Sequence, residues 1–247
     1  LYLYGLDPDK PEYVSMNGSS YMNPHINPQD LDEARQTMPE DIFLSEVMGE
    51  WVDGGGSVFK DIDNYCIIPS WTGKNPSKKY YAGIDVGRLT DYSVLTIMDD
   101  DGNVVFIYRE KDNSWDNILN NMVQHLTQYQ ATAMIETNGI GDPLYDQLQK
   151  KYKNIHPFIT TNTSKQQIIE DLIYQLNTGE LRLPTQDLFK PLYNELNTFT
   201  YSYSPSTRRV QYKAISGAHD DCVMSLAIAL HSLREKKSKG TYYIYNR

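Results

Sequence analysis

The chain has 247 residues and a mass of 28.5 kDa; 40% of its residues are apolar, 22% are charged, and its formal net charge is −9. That length allows one large domain, or one domain with an appendage, and a core that needs no disulfide or zinc staple. With a mean hydropathy of −0.57 and no apolar run near the ~18 residues that a bilayer span requires, a membrane-inserted helix is excluded.

No basic stretch followed by an apolar run opens the chain, so no secretory signal is expected. A first residue of Leu1 instead of Met is expected of a fragment or a processed product. Cys66 and Cys222 each sit in apolar company without a CxxC partner, which points to a reducing compartment and away from a disulfide scaffold or a zinc cluster. The negative balance argues against a protein that merely coats nucleic acid, because phosphate binding draws on Lys and Arg. The charge is uneven: residues 1–79 hold 13 acidic and 6 basic side chains, and residues 80–247 hold 19 and 17. If a few carboxylates of the second stretch face a metal ion, the rest of its surface is neutral to slightly basic. Nucleic acid stays open as a partner.

In chain order, Gly5, Pro8, Pro11, Gly18, Pro24 and Pro28 predict an irregular lead-in. A helix follows over 39–51, with Ile42, Phe43 and Val47 as its apolar stripe, and the glycines at 54–56 stop it. Residues 69–79 have linker composition, which sets the domain boundary near 79. Beyond it, strands are predicted over 80–86, 92–98 and 104–109, the last two joined as a hairpin by the turn at 99–102. Then come a helix over 114–128 capped by Ser114, a strand over 131–136, a helix over 142–151, a strand over 155–159 and a helix over 164–177. A short strand at 181–183, a helix over 186–197 and a second hairpin around 204–207 precede a last helix over 220–233 and a solvated tail from 235. This order predicts an α/β fold, a mixed sheet with helices on both faces.

Three acidic positions have similar contexts. Asp85 lies near the end of the apolar strand YAGIDVG, Glu136 ends the strand ATAMIE, and Asp220 and Asp221 open the apolar helix CVMSLAIAL. A carboxylate in or beside a buried element is costly unless it is paired, protonated or bound to a cation. Meeting in one sheet, these acids would form an all-oxygen pocket suited to Mg²⁺ or Mn²⁺. Two such ions about 4 Å apart clamp the attacking and leaving oxygens of a phosphodiester displacement. Each acid also has an ordinary reading: Asp220 as a helix cap, Glu136 as a strand-end charge. His219 reads equally as a residue behind the ligands or as a surface histidine. No GxxxxGK[ST], GxSxG or HExxH occurs.

The segments YYAGIDVGRLTDYSVLTIMD, AMIETNGIGDPLYDQL and SGAHDDCVMSLAIAL, in this order, resemble the nuclease domain of large terminase subunits, the DNA-packaging motor proteins of tailed bacteriophages. The stretch YMNPHINPQDLDEARQTMPEDIFLSEVMGEWVDGGGSVF resembles the end of the terminase ATPase domain. The resemblance implies three parts: 1–79 from the end of the ATPase domain and its linker, 80–234 as a ribonuclease H-like nuclease, and 235–247 as the tail. It implies a mixed sheet with its first three strands antiparallel, and metal-dependent cleavage of concatemeric viral double-stranded DNA with two Mg²⁺ or Mn²⁺ ions. Asp85, Glu136 and Asp221 would be the catalytic acids and metal ligands, with Asp220 close behind Asp221, and Asp91 and His219 in support. Arg88, Arg208, Arg209 and Lys213 are candidates for holding DNA phosphates, with ordinary solvated charges as the alternative. The small terminase subunit, the portal protein and the host-cell cytoplasm follow as implied partners and location. ATP hydrolysis is not expected, since Walker motifs are absent.

Three other readings compete. A DEDD-type exonuclease shares the fold but needs an Asp-x-Glu pair in the first strand, where this chain has Asp85 followed by Val86 and Gly87. An actin-like sugar kinase or ATPase also uses a strand like GIDVG but needs a second phosphate motif, which this chain lacks. A non-catalytic packaging module is disfavoured by the full set of acids.

Overall fold

Runs rich in β-branched and aromatic residues become strands, and apolar stripes at helical spacing become helices, in the computed structural model. It describes residues 11–38, 40–50, 57–87, 91–111, 114–138, 141–204, 209–215 and 217–241. The chain divides into two compact units, 1–56 and 57–247.

The first unit contains α1 (Pro28–Thr37) and α2 (Glu40–Glu46). Asn27 caps α1 by accepting from the Gln29 amide, and Pro28 suits the first helical position. Leu31, Phe43 and Val47 form its small core, flanked by Ile26, Met38 and Met48. The described part of the predicted irregular lead-in, residues 11–27, holds no α-helix or strand; α1, which the sequence reading did not predict, starts at Pro28, where a proline suits the first helical turn.

The second unit opens with β1 (Cys66–Ile68). It continues through β2 (Tyr80–Asp85), β3 (Ser93–Asp99) and β4 (Val104–Glu110), then α3 (Trp115–Tyr129), β5 (Thr132–Glu136), α4 (Gly141–Lys151) and β6 (Ile155–Phe158). Next come α5 (Asn162–Asn177), β7 (Leu183–Pro184), α6 (Lys190–Thr198), β8 (Phe199–Ser204), β9 (Arg209–Ala214) and α7 (Asp221–Thr241). The main sheet has the order β4-β3-β2-β5-β6. β2, β3 and β4 pair antiparallel, whereas β5 runs parallel to both β2 and β6. This is the mixed sheet expected from the sequence. Among the described residues, no helix is long and apolar enough to cross a membrane.

Alternation along the strands sorts the two faces. Tyr80, Ala82 and Ile84 of β2, with Ala133 and Ile135 of β5, pack under Ile118, Met122 and Leu126 of α3 and Leu148 of α4. The intervening residues, Gly83 and Asp85 on β2 and Thr132, Met134 and Glu136 on β5, therefore belong to the opposite face. There α7 lies, its Cys222–Leu230 stretch almost entirely buried.

Several boundaries differ from the sequence reading. The division falls at 56/57, not near 79, because Val58, Phe59, Ile62 and Tyr65 are buried in the second unit. The Val58 amide donates to the Phe199 carbonyl at 3.0 Å, and β1 pairs in parallel with β7. The short strand lies at 183–184 instead of 181–183, and α6 begins at Lys190, four residues later than predicted. β8 and β9 form a separate two-stranded ribbon. The expected tail is helical through Thr241, since Arg, Glu and Lys continue a helix readily.

Candidate active site

The local register carries the first two acids. β2 and β5 are parallel with Ala82 opposite Ala133 and Ile84 opposite Ile135, so Asp85 and Glu136 follow side by side at the carboxyl ends of adjacent strands. In open α/β sheets that edge is where ligands bind. Both acids are half-buried.

The third element reaches them through a close approach. A Cβ on Gly83 would fall 2.2 Å from the Ser225 carbonyl and 2.3 Å from the Ala229 nitrogen, so only glycine lets α7 lie this near β2. The buried Ser225 hydroxyl fastens the crossing, 2.9 Å from both the Gly83 carbonyl and Thr96 Oγ1. One turn before Ser225, α7 starts at Asp221, which is 8% exposed.

Burial, then the charges of Glu136, Asp221 and Asp220, push the Asp85 pKa well above the usual carboxylate range. Asp221 is pushed up to about 6, chiefly by burial, with Asp91 and Asp220 adding to it and the Tyr92 amide and His219 opposing. Two acids raised in this way by burial and by neighbouring carboxylates fit a divalent cation, which would relieve both the repulsion and the burial penalty. Among the described residues no three His, Cys, Asp or Glu side chains already surround one point as ligands. The acids meet instead as the Asp85–Glu136 pair with Asp221 beside it.

The two adjacent aspartates have different partners. Asp220 Oδ2 accepts from Lys165 Nζ at 3.0 Å, an ion pair with the first turn of α5. Asp221 Oδ2 accepts from the Tyr92 amide at 3.4 Å and lies 3.6 Å from His219 Nδ1. His219 Nδ1 is also 3.7 Å from Asp91, whose side chain is half-exposed. His219 thus lies between Asp91 and Asp221. The simple cap reading of Asp220 gives way to another arrangement: the free amides of Cys222 and Val223 donate to Glu195 Oε2 of α6, at 2.7 and 3.3 Å.

The predicted DNA contacts fare differently. Arg88 and Arg208 lie outside the described residues, as does the Arg209 side chain, although Arg209 itself stands on β9 opposite Ser204. Lys213 is exposed on the β8–β9 ribbon, opposite Thr200, and among the described residues no hydrogen bond or ion pair of the four acids involves it. The sequence reading missed Glu195, Lys165 and Arg109, whose guanidinium lies over the Tyr92 ring. A signal existed for Glu195: it is a carboxylate between Leu192 and Leu196, on the buried face of its helix.

Comparison with known proteins fits this geometry. Residues 82–233 match the family model described as the terminase RNaseH-like domain. The large terminase subunit of Thermus virus P23-45 is 27% identical in an alignment of 239 positions that covers 91% of this chain and 48% of that protein. The chain thus spans about half the length of that relative. The magnesium-bound large terminase nuclease of thermophilic phage G20c is 27% identical with a TM-score of 0.64, covering 71% of this chain and 96% of that one. Its cobalt-bound form superimposes with a TM-score of 0.62 at 27% identity, over 71% and 96% of the two chains. The large terminase of another thermophilic bacteriophage, 12% identical, shares the fold over 91% of this chain and 57% of its own, with a TM-score of 0.64. With more than half of its length matched, the chain belongs to the terminase RNase H-like domain family.

Proposed function

We propose that this chain is the nuclease part of a phage large terminase and cuts concatemeric viral double-stranded DNA during genome packaging, using Mg²⁺ or Mn²⁺. The observation that carries the reading is the convergence of Asp85, Glu136 and Asp221 from two parallel strand ends and a helix start. Magnesium- and cobalt-bound relatives support a divalent ion at such a site. We assign the ligand role to these three acids, with two ions. Asp220 is the alternative to Asp221, but its carboxylate is engaged by Lys165. When bound, such ions neutralise charge on the scissile phosphate and lower the pKa of a water nucleophile. The chain's own part is positional. β2 and β5 present two carboxylates side by side, Gly83 admits α7, and Asp91 and His219 border Asp221. Arg88, Arg208, Arg209 and Lys213 are proposed to hold the DNA backbone. Of residues 1–79, the unit 1–56 is proposed as the end of an ATPase domain and 57–79 as the linker, its first part packed into the second unit, with the portal protein and small terminase subunit as partners in the host-cell cytoplasm.

Supercoiled plasmid incubated with the protein and Mg²⁺ or Mn²⁺ should be nicked or linearised with little sequence preference, and EDTA should stop the reaction. Cleavage that survives EDTA would overturn the metal mechanism. ATP turnover by the pure protein would favour the actin-like alternative.

A further inference from the structure

The N-terminus of α7 is held by a side chain from another helix. Glu195 is 5% exposed, and its Oε2 accepts from the amides of Cys222 and Val223, two of the four donors that a helix start leaves free. Its other oxygen, Oε1, has no hydrogen-bond partner and lies 3.6 Å from Arg109 Nη2. The Arg109 guanidinium carbon in turn sits 3.3 Å from the centroid of the Tyr92 ring. Tyr92 is the residue whose amide donates to Asp221. Two routes therefore run from one buried carboxylate to Asp221: along the helix backbone through Cys222, and across the sheet through Arg109 and Tyr92.

A buried carboxylate is an expensive way to cap a helix, because burial pushes the Glu195 pKa up despite the hydrogen bonds of Cys222 and the charge of Arg109. A Ser, Thr or Asn at the helix start would satisfy the same amides locally. What a local cap would not do is tie the start of α7 to β4 and to the Tyr92 loop. We infer that Glu195 is a positioning residue that fixes the Asp221 carboxylate in the orientation the metal site needs, acting through the α7 amides and through Arg109 on Tyr92. Glu195 itself is directed at α7 and Arg109, not at the acid pair, so it acts through other residues. This inference rests on Asp221 being a ligand, as proposed above.

The test is Mn²⁺ binding to the protein alone, by titration calorimetry well below each variant's melting temperature, with cleavage measured alongside. The parent should bind Mn²⁺ and Asp85→Asn should lose it. Glu195→Ala should bind about tenfold more weakly or worse, the size typical when a group that orients a metal ligand is removed. Glu195→Gln, which keeps an oxygen acceptor for the Cys222 amide, should recover much of the affinity. Unchanged Mn²⁺ affinity in folded Glu195→Ala would overturn the positioning role, whatever happens to its melting temperature. If that variant does not fold, Arg109→Met decides, since it breaks the route through Tyr92 and leaves the cap; parent-like affinity there overturns the inference. A parent that binds no Mn²⁺, or an Asp85→Asn variant that binds as the parent does, would instead overturn the assignment of the metal site, and this inference with it.

Discussion

Gly83→Ala tests the placement of the site most directly, because it adds one methyl where α7 crosses β2. The new Cβ would lie 2.2 Å from the Ser225 carbonyl oxygen, 2.3 Å from the Ala229 nitrogen and 2.8 Å from the Ile228 carbonyl carbon, where ordinary contact starts at 3.4 Å. All three neighbours are helix backbone, so no side chain can rotate out of the way. The helix must retreat by about 1 Å, which also stretches the Ser225 bonds to Gly83 and Thr96. Overpacking of this kind costs about 1–3 kcal/mol. At roughly 2–4 °C per kcal/mol for a chain of this size, the melting temperature should fall by several degrees. Asp221 sits one turn from the contact and would move with the helix. A displacement of ~1 Å at reacting groups costs on the order of 100-fold in rate. Calorimetry and single-turnover plasmid cleavage in Mn²⁺ would measure both effects. If Gly83→Ala melts and cuts as the parent does, the close approach does not position Asp221 and the reasoning fails.

Two further substitutions separate charge from packing. Asp221 has a folded-state pKa raised from 3.8 to about 6, so the folded protein binds this proton more tightly than the unfolded chain. Its favourable contribution is complete below pH 3.8 and is lost as pH rises through about 6. Asp221→Asn should therefore stabilise the metal-free protein at pH 8 by up to ~3 kcal/mol and have little effect at pH 4; an equal shift in melting temperature at both pH values would refute this. Asp85→Asn keeps the shape and removes an anion that burial and three other acids disfavour. It should abolish cleavage while leaving the metal-free melting temperature unchanged or higher. Mn²⁺ should raise the melting temperature of the parent and not of Asp85→Asn, because only the parent gains binding energy in the folded state. A Mn²⁺-dependent rise in both would place the ion elsewhere.

The local elements of the second unit follow from contiguous stretches of the chain. Apolar runs rich in β-branched and aromatic residues at 80–85, 93–99 and 104–110, and the turn around Gly102, are properties of contiguous residues, so the antiparallel start of the sheet was legible without coordinates. So were the acids at the ends of β2 and β5 and at the start of α7, since a carboxylate closing an apolar run stands out in one dimension. The rest depends on packing between distant segments. The parallel pairing of β1 with β7 joins residues more than 100 positions apart, and it moved the unit boundary from 79 to 56/57. Two neighbouring aspartates look interchangeable in a sequence. They differ here because Lys165 lies beside Asp220, and the Tyr92 amide beside Asp221. Glu195 reads as one acid among 32 until α6 packs against α7 and brings it to the free amides of Cys222 and Val223. Burial patterns repeat along the chain and can be read from it. The partners of a buried charge come from distant segments, and only the packed fold brings them within hydrogen-bonding distance.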